Sequence, residues 1–370
     1  MSLATRRMMW GSMFAGILAL TCVGVWKSRG TDPMLIQEGP VAIPGIMGTQ
    51  TELTAVVRAD EEELAEEAHR VAEEVLRTIE SRLSTHIDRS ELSAINSAPA
   101  GQLVPFSPET VKLLKRSREL TELTDGAFDP TAAPVFKLWS EASEKGRPPT
   151  AEEIHIAREL STWDDFELFP GESDGVMKRR ELAQLDLGGV AKGYAIDRAV
   201  EAMQNSGCAG GLVSVGGDLR FFGRRPGGKE WTVGIQDPFD PESDEPMLRI
   251  RLTAAAVCTS GNYRRYSELN GQRYSHIIDP RTGRPADAAP SVTVVANDAL
   301  TADAWATALS VLGPSGLSLI ERRESVEALV VTGGKHDHSL HMSSGFEAMI
   351  YERPSRLSAD PPVAALPLGQ

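Results

Sequence analysis

From Leu182 onward the chain alternates short apolar runs of strand length with two stretches of helical spacing, which limits it to a mixed α/β (α+β) fold. The strand candidates are residues 212–215, 219–222, 231–235, 248–252 and 291–296. One helical stretch is 190–205, with Gly207 suited to its C-terminal cap. The other is 299–312, which stops at Gly313-Pro314. Upstream, 51–57 has the look of a strand. Acidic residues 60–63 then open a helix whose apolar face carries Leu64, Val71, Val75, Ile79 and Leu83. Ser107 as N-cap and Pro108 in the first turn start another helix that runs toward Asp125. Residues 140–180 are polar and punctuated by Pro and Gly, so they are expected at the periphery. The expectation is mixed sheets with flanking helices.

The 370 residues are 41% hydrophobic and 24% charged, enough to build a core without staples. The three cysteines, Cys22, Cys208 and Cys258, form no CxxC or CxxCH. That excludes a zinc knuckle, a redox dithiol and a c-type haem site. The net charge of −14 repels phosphate backbones, so nucleic acid is not an expected partner. An anionic ligand needs a local positive site or a metal.

The N-terminus stands apart. Arg6 and Arg7 precede an uncharged stretch, 8–26, closed by Lys27 and Arg29. Roughly 20 apolar residues cross a bilayer as a helix, whereas a cleaved signal has a core of about 7–15. Residues 1–30 are therefore expected to be a membrane anchor or, failing that, a signal sequence. The anchor would sit in the inner (cytoplasmic) membrane, with the bulk of the chain on the periplasmic side. Residues 31–45, rich in Pro and Gly, are expected to be a linker. A single domain is expected over 46–353. The Pro- and Ala-rich stretch 354–370 is expected to be a disordered tail.

Five segments can carry chemistry. In Leu185-Asp186-Leu187-Gly188-Gly189-Val190-Ala191-Lys192-Gly193 a strand is expected to end in a Gly-Gly turn that opens directly into a helix. Free N–H groups there attract anions, and Lys192 in the first turn opposes the helix dipole unless an anion lies near. The plainer alternative is a tight turn with a solvated lysine. Asp303 and Thr307 lie four apart on one helix face among small residues. They offer a hard cation a carboxylate and a hydroxyl. Alternatively, Asp303 answers the helix dipole while Thr307 bonds back to a carbonyl. His276 precedes the turn Asp279-Pro280-Arg281-Thr282-Gly283 and is either a general base near neutral pH or a structural histidine. Asp129 before Pro130 is a turn signal that can also read an adenine amino group or a sugar hydroxyl. Ser90-Glu91-Leu92-Ser93 is a helix-capping pattern.

Together and in this order the segments resemble the ApbE-like family of FAD:protein FMN transferases. The resemblance runs from about Gly45-Ile46-Met47-Gly48-Thr49 to about Leu312-Gly313. It takes in 90–96, 125–131, 186–197, 212–223, 259–266, 276–283 and 303–307. It implies that Met47, Glu91, Leu92, Ser93 and Asp129 line an FAD site and that Lys192 lies at the flavin nucleotide. His276 and Ile277 would lie beside the flavin and pyrophosphate. It further implies Mg²⁺ held by the Gly189 carbonyl, Asp303 and Thr307. The chain departs from the family where Gly188 replaces a common serine and Gly189 a common Ala or Thr. A backbone ligand tolerates the latter change.

The implied reaction suits these residues. A pyrophosphate needs charge neutralisation before an oxygen nucleophile attacks phosphorus. The nucleophile would be a Ser or Thr hydroxyl of an acceptor protein, activated by His276; FMN would stay in a phosphoester and AMP would leave. The family's acceptor motif, Asp-Gly followed by Ser/Thr-Gly/Ala-Ala-Thr/Ser, does not occur here, so the acceptor is expected to be a separate protein. Water in place of the hydroxyl would make the chain an FAD pyrophosphatase. A non-catalytic flavin-binding accessory and a purely structural exported domain are the remaining alternatives.

Overall fold

The computed structural model describes residues 35–171, 174–261, 266–269 and 271–353. Strands β1 (Leu35–Ile46) and β2 (Thr49–Arg58) lead into α1 (Glu62–Leu83) and α2 (Glu91–Ser97). Then come β3 (Leu103–Pro105), α3 (Pro108–Leu123), α4 (Ala133–Lys145), α5 (Ala151–Glu159), β4 (Phe166–Phe169) and β5 (Gly175–Lys178). Helix α6 (Ala191–Asn205) precedes β6 (Gly210–Val215), β7 (Asp218–Gly223), β8 (Trp231–Ile235), β9 (Leu248–Leu252) and β10 (Ala255–Gly261). The short strands β11 (Tyr266–Leu269), β12 (Gln272–Ser275), β13 (Ile278–Asp279) and β14 (Arg284–Pro285) form two hairpins. The chain continues through β15 (Ser291–Ala296), α7 (Ala299–Leu312), α8 (Leu317–Ile320), β16 (Val326–Thr332), β17 (Ser339–Met342) and β18 (Ile350–Glu352).

The centre is an eight-stranded antiparallel sheet in the order β1-β2-β6-β7-β10-β15-β16-β17. Helices α1, α6 and α7 cover one face, and the small sheet β18-β9-β8 covers the other. Side chains alternate between the two layers. In β15, Val292 and Val294 face the helices while Val295 meets the small sheet. In β16, Ala328 and Val330 face one way, Leu329 and Val331 the other. Burial on both faces makes these strands nearly continuous apolar runs, without the polar alternation of a one-sided sheet. A third sheet, β3-β5-β4, lies beside α2 and α3.

Two expectations change. The linker expected over 31–45 is, from Leu35 on, strand β1, paired with β2 at the sheet edge. Its Gly39-Pro40 and Pro44-Gly45 fall where the register slips, between Glu38 and Val41 and between Ile43 and Ile46. An edge strand with bulges tolerates prolines that a central strand would not. The globular part thus already includes Leu35, ahead of Ile46. The strand expected before the Gly-Gly turn does not form: residues 183–187 belong to no strand. The expected anchor, 1–30, and tail, 354–370, lie outside the described residues. Among the described residues no helix is long and apolar enough to cross a membrane. Cys208 and Cys258 are buried free thiols.

Candidate active site

The segment before α6 is held by a side chain in place of a sheet. Asn96 of α2 donates to the Leu185 carbonyl and accepts from the Leu185 N–H, both at 2.8 Å. Asp186 N–H donates to the Pro130 carbonyl at 2.9 Å, drawing the Asp129-Pro130 turn alongside. Leu185 and Leu187 are fully buried anchors. Gly188 N–H then bonds Asp186 Oδ1 at 2.7 Å, and the chain turns into α6 at Val190, which has no side-chain cap.

What caps α6 comes from α7. Asp303 Oδ2 accepts from the Gly193 N–H at 3.0 Å. The exchange is reciprocal: Asp197 of α6 accepts from the Ala299 and Leu300 N–H groups of α7 at 2.8 and 2.9 Å. Each carboxylate answers the positive end of the other helix. Gly193 permits this closeness, because a Cβ there would lie 2.2 Å from the Ala299 carbonyl oxygen. Each carboxylate also meets a cation. Arg220 Nη1 sits 2.7 Å from Asp197 Oδ1, and Lys192 Nζ sits 3.9 Å from Asp303 Oδ1. Burial pushes the Asp303 carboxyl above the usual range, and Lys192 and the Gly193 N–H pull against that.

One turn along α7, the Thr307 hydroxyl makes no hydrogen bond among the described residues, whereas Ser310 bonds back to the Ala306 carbonyl at 2.8 Å. Of the two alternatives for this pair, the back-bonding threonine is therefore not what forms. Gly189 lies against Thr307: a Cβ on it would come 3.2 Å from Thr307 Oγ1 and 3.2 Å from Phe128 Cε2. A buried carboxylate with Oδ1 turned to a cation, an unbonded hydroxyl one turn away and an adjacent backbone without a side chain fit a hard cation. Among the described residues no cluster of three or more His, Cys, Asp and Glu suits a metal.

The other predicted residues are distributed around this centre. Asp129, half-buried, accepts from both the N–H and the hydroxyl of Thr131, at 2.9 and 2.8 Å. Burial raises its carboxyl to about 6, partly offset by those two bonds. Met47 sits in the β1–β2 turn with φ 49° and donates its N–H to Glu80 Oε1 at 2.8 Å. Glu91 is engaged structurally: it accepts from the N–H and hydroxyl of Ser107, the N-cap of α3, at 3.0 and 3.1 Å. Leu92 is wholly buried in the main core, and Ser93 N–H bonds the N-cap Ser90 at 2.9 Å. His276 is exposed just after β12. Ile277 packs on the main core and donates its N–H to Ser275 Oγ at 3.1 Å. The turn after it is pinned by Trp139 Nε1, which donates to the Gly283 carbonyl at 2.8 Å.

Asp218 escaped the sequence reading. It is 2% exposed and bonds directly to Lys192 through Oδ2. Its Oδ1 accepts from the Thr259 N–H at 2.9 Å. The available signal was a carboxylate following Gly216-Gly217, both with positive φ, inside an otherwise apolar strand pair.

Residues 47–330 match the ApbE family model. A Vibrio cholerae protein described as an FAD:protein FMN transferase is 32% identical over 297 residues, 79% of this chain and 86% of the relative. An Escherichia coli K12 protein of the same description is 34% identical over 273 residues, 72% of this chain and 77% of the relative. The crystal structure of an ApbE protein from Thermotoga maritima superposes with a TM-score of 0.74 at 31% identity, over 84% of this chain and 99% of that one. The flavin transferase ApbE from Vibrio cholerae superposes at 0.70 with 28% identity, over 85% of this chain and 99% of that one.

Proposed function

The chain belongs to the ApbE family, and from that premise we propose how its residues carry out FAD:protein FMN transfer. The substrate is FAD and the product is an acceptor protein bearing FMN. Asp303, Thr307 and the Gly189 carbonyl are the set that would hold Mg²⁺. When bound, the ion neutralises pyrophosphate charge and steadies the leaving AMP. Lys192, whose part-exposed ammonium lies 3.9 Å from the buried Asp303 Oδ1, meets a phosphate oxygen. Asp129, Met47 and the Glu91-Leu92-Ser93 segment border the nucleotide. Glu91 and Leu92 act there by fixing the backbone of α2 and the start of α3, since their side chains are engaged with Ser107 and the core. Ile277 presents an apolar edge to the flavin. His276, exposed to an incoming chain, accepts the proton of the acceptor Ser or Thr hydroxyl. That oxygen attacks the FMN-side phosphorus, the pyrophosphate bond breaks, and AMP leaves. Residues 1–30 tether the enzyme to the inner membrane with this site on the periplasmic side, in keeping with the apolar stretch 8–26.

The observation that carries the reading is Asp303: buried, bonded to the α6 N-terminus, and flanked by Lys192 and the unbonded Thr307 hydroxyl. The test uses the chain from about residue 32, FAD, Mg²⁺ and a small domain bearing the acceptor motif. Intact mass should show the acceptor gaining one FMN, lost with EDTA or with Asp303→Ala. Free FMN and AMP with an unmodified acceptor would make the chain a pyrophosphatase. FAD left whole would remove the enzymatic reading.

A further inference from the structure

Lys192 has two carboxylates within reach and makes a direct bond with only one. Asp218 Oδ2 takes the ammonium, while Asp303 Oδ1 stays 3.9 Å from it. Asp218 is itself buried and held in place. It opens β7, is 2% exposed, and is fixed from behind by the Thr259 N–H at 2.9 Å. The approach to it is equally constrained: Gly216 adopts φ 62°, and a Cβ there would strike Thr49 Oγ1 at 2.8 Å. A lysine this close to a buried carboxylate would otherwise close onto it, because two opposite charges attract strongly where water is scarce.

The geometry points to Asp218 as a positioning residue that holds the Lys192 ammonium off Asp303, keeping Asp303 Oδ1 available to a divalent cation. The inference rests on the cation site proposed above. Without Asp218 the lysine becomes the counter-ion of Asp303 and competes with the metal. With it, Lys192 stays beside the site as a separate positive charge for the substrate's phosphates. A merely architectural role, tying β7 to β10, would use the Thr259 bond alone, and the amide of Asp218→Asn keeps that bond.

Direct binding tests this. Mg²⁺ is titrated calorimetrically into the chain from about residue 32, without FAD, for the unaltered protein, Asp218→Asn, Lys192→Met and the double variant. Asp218→Asn should weaken Mg²⁺ binding about tenfold, the effect of drawing one unit charge onto the ligand. Lys192→Met should bind Mg²⁺ at least as tightly as the unaltered chain. In the Lys192→Met background, adding Asp218→Asn should change the affinity by less than about twofold, a strong non-additivity. Equal weakening by Asp218→Asn in both backgrounds would reduce Asp218 to a distant negative charge and overturn the inference. Weakened binding in Lys192→Met alone would overturn it too, and that variant keeps the test alive should Asp218→Asn fold poorly. If the unaltered chain takes up no Mg²⁺, the cation site itself fails, and this inference with it.

Discussion

At the residue scale the centre turns on side chains whose ordinary partners are missing or borrowed. Thr307 lacks the back-bond that Ser310 makes, and Asp303 lends one oxygen to another helix. Thr307→Val keeps the shape and removes the hydroxyl. It should lower Mg²⁺ affinity and FMN transfer at least about tenfold while leaving thermal stability nearly unchanged, since no hydrogen bond is lost. Asp129 supports a pH prediction. Its folded pKa, about 6, lies above the ordinary 3.8, so the folded chain keeps a proton that the unfolded chain has lost. Asp129 therefore weakens stability progressively as pH rises from about 4 to about 6, by up to about 3 kcal/mol, and the penalty is absent below pH 4. Chemical denaturation of Asp129→Asn should show its stability gaining on the unaltered chain over that window and level above it. An equal difference at pH 4 and pH 7 would refute this.

At the scale of elements, the site exists because α6 and α7 cap one another. Asp197→Ala strands the Ala299 and Leu300 N–H groups and the Arg220 guanidinium, and should cost about 3–5 kcal/mol in denaturation. Gly193→Ala drives a methyl into the Ala299 carbonyl, so the helices must part. Loss of Mg²⁺ binding should accompany its drop in stability. Asn96→Ala removes both bonds to Leu185, leaving residues 183–188 untethered, and should cost about 2–4 kcal/mol. The helices themselves were legible early: Ser107 and Pro108, and the stop at Gly313-Pro314, sit where propensity puts them. The strand expected before α6 was not there, because a single asparagine replaced a neighbouring strand as hydrogen-bond partner. No local pattern announces a partner 89 residues away.

For the whole molecule, the sheet is enclosed by helices on one side and a small sheet on the other, and its first strand begins well before the motifs do. A chain started at about residue 32 should fold and transfer FMN. One started at Ile46 loses β1 and exposes the β2 edge; it should melt lower and aggregate. Melting curves of the two chains decide between these outcomes. The residues alone determined the mixed α/β class, strands β6 to β9 and β15, helices α6 and α7, and the family, because burial on two faces writes long apolar runs and the site's turns need particular residue types. Tertiary structure alone decided that Pro40 and Pro44 lie in a bulged edge strand, that Glu91 serves α3, and that Asp218 shares Lys192 with Asp303. Those facts depend on which side chains meet across the fold, and a charge or a proline carries no local mark of its distant partner.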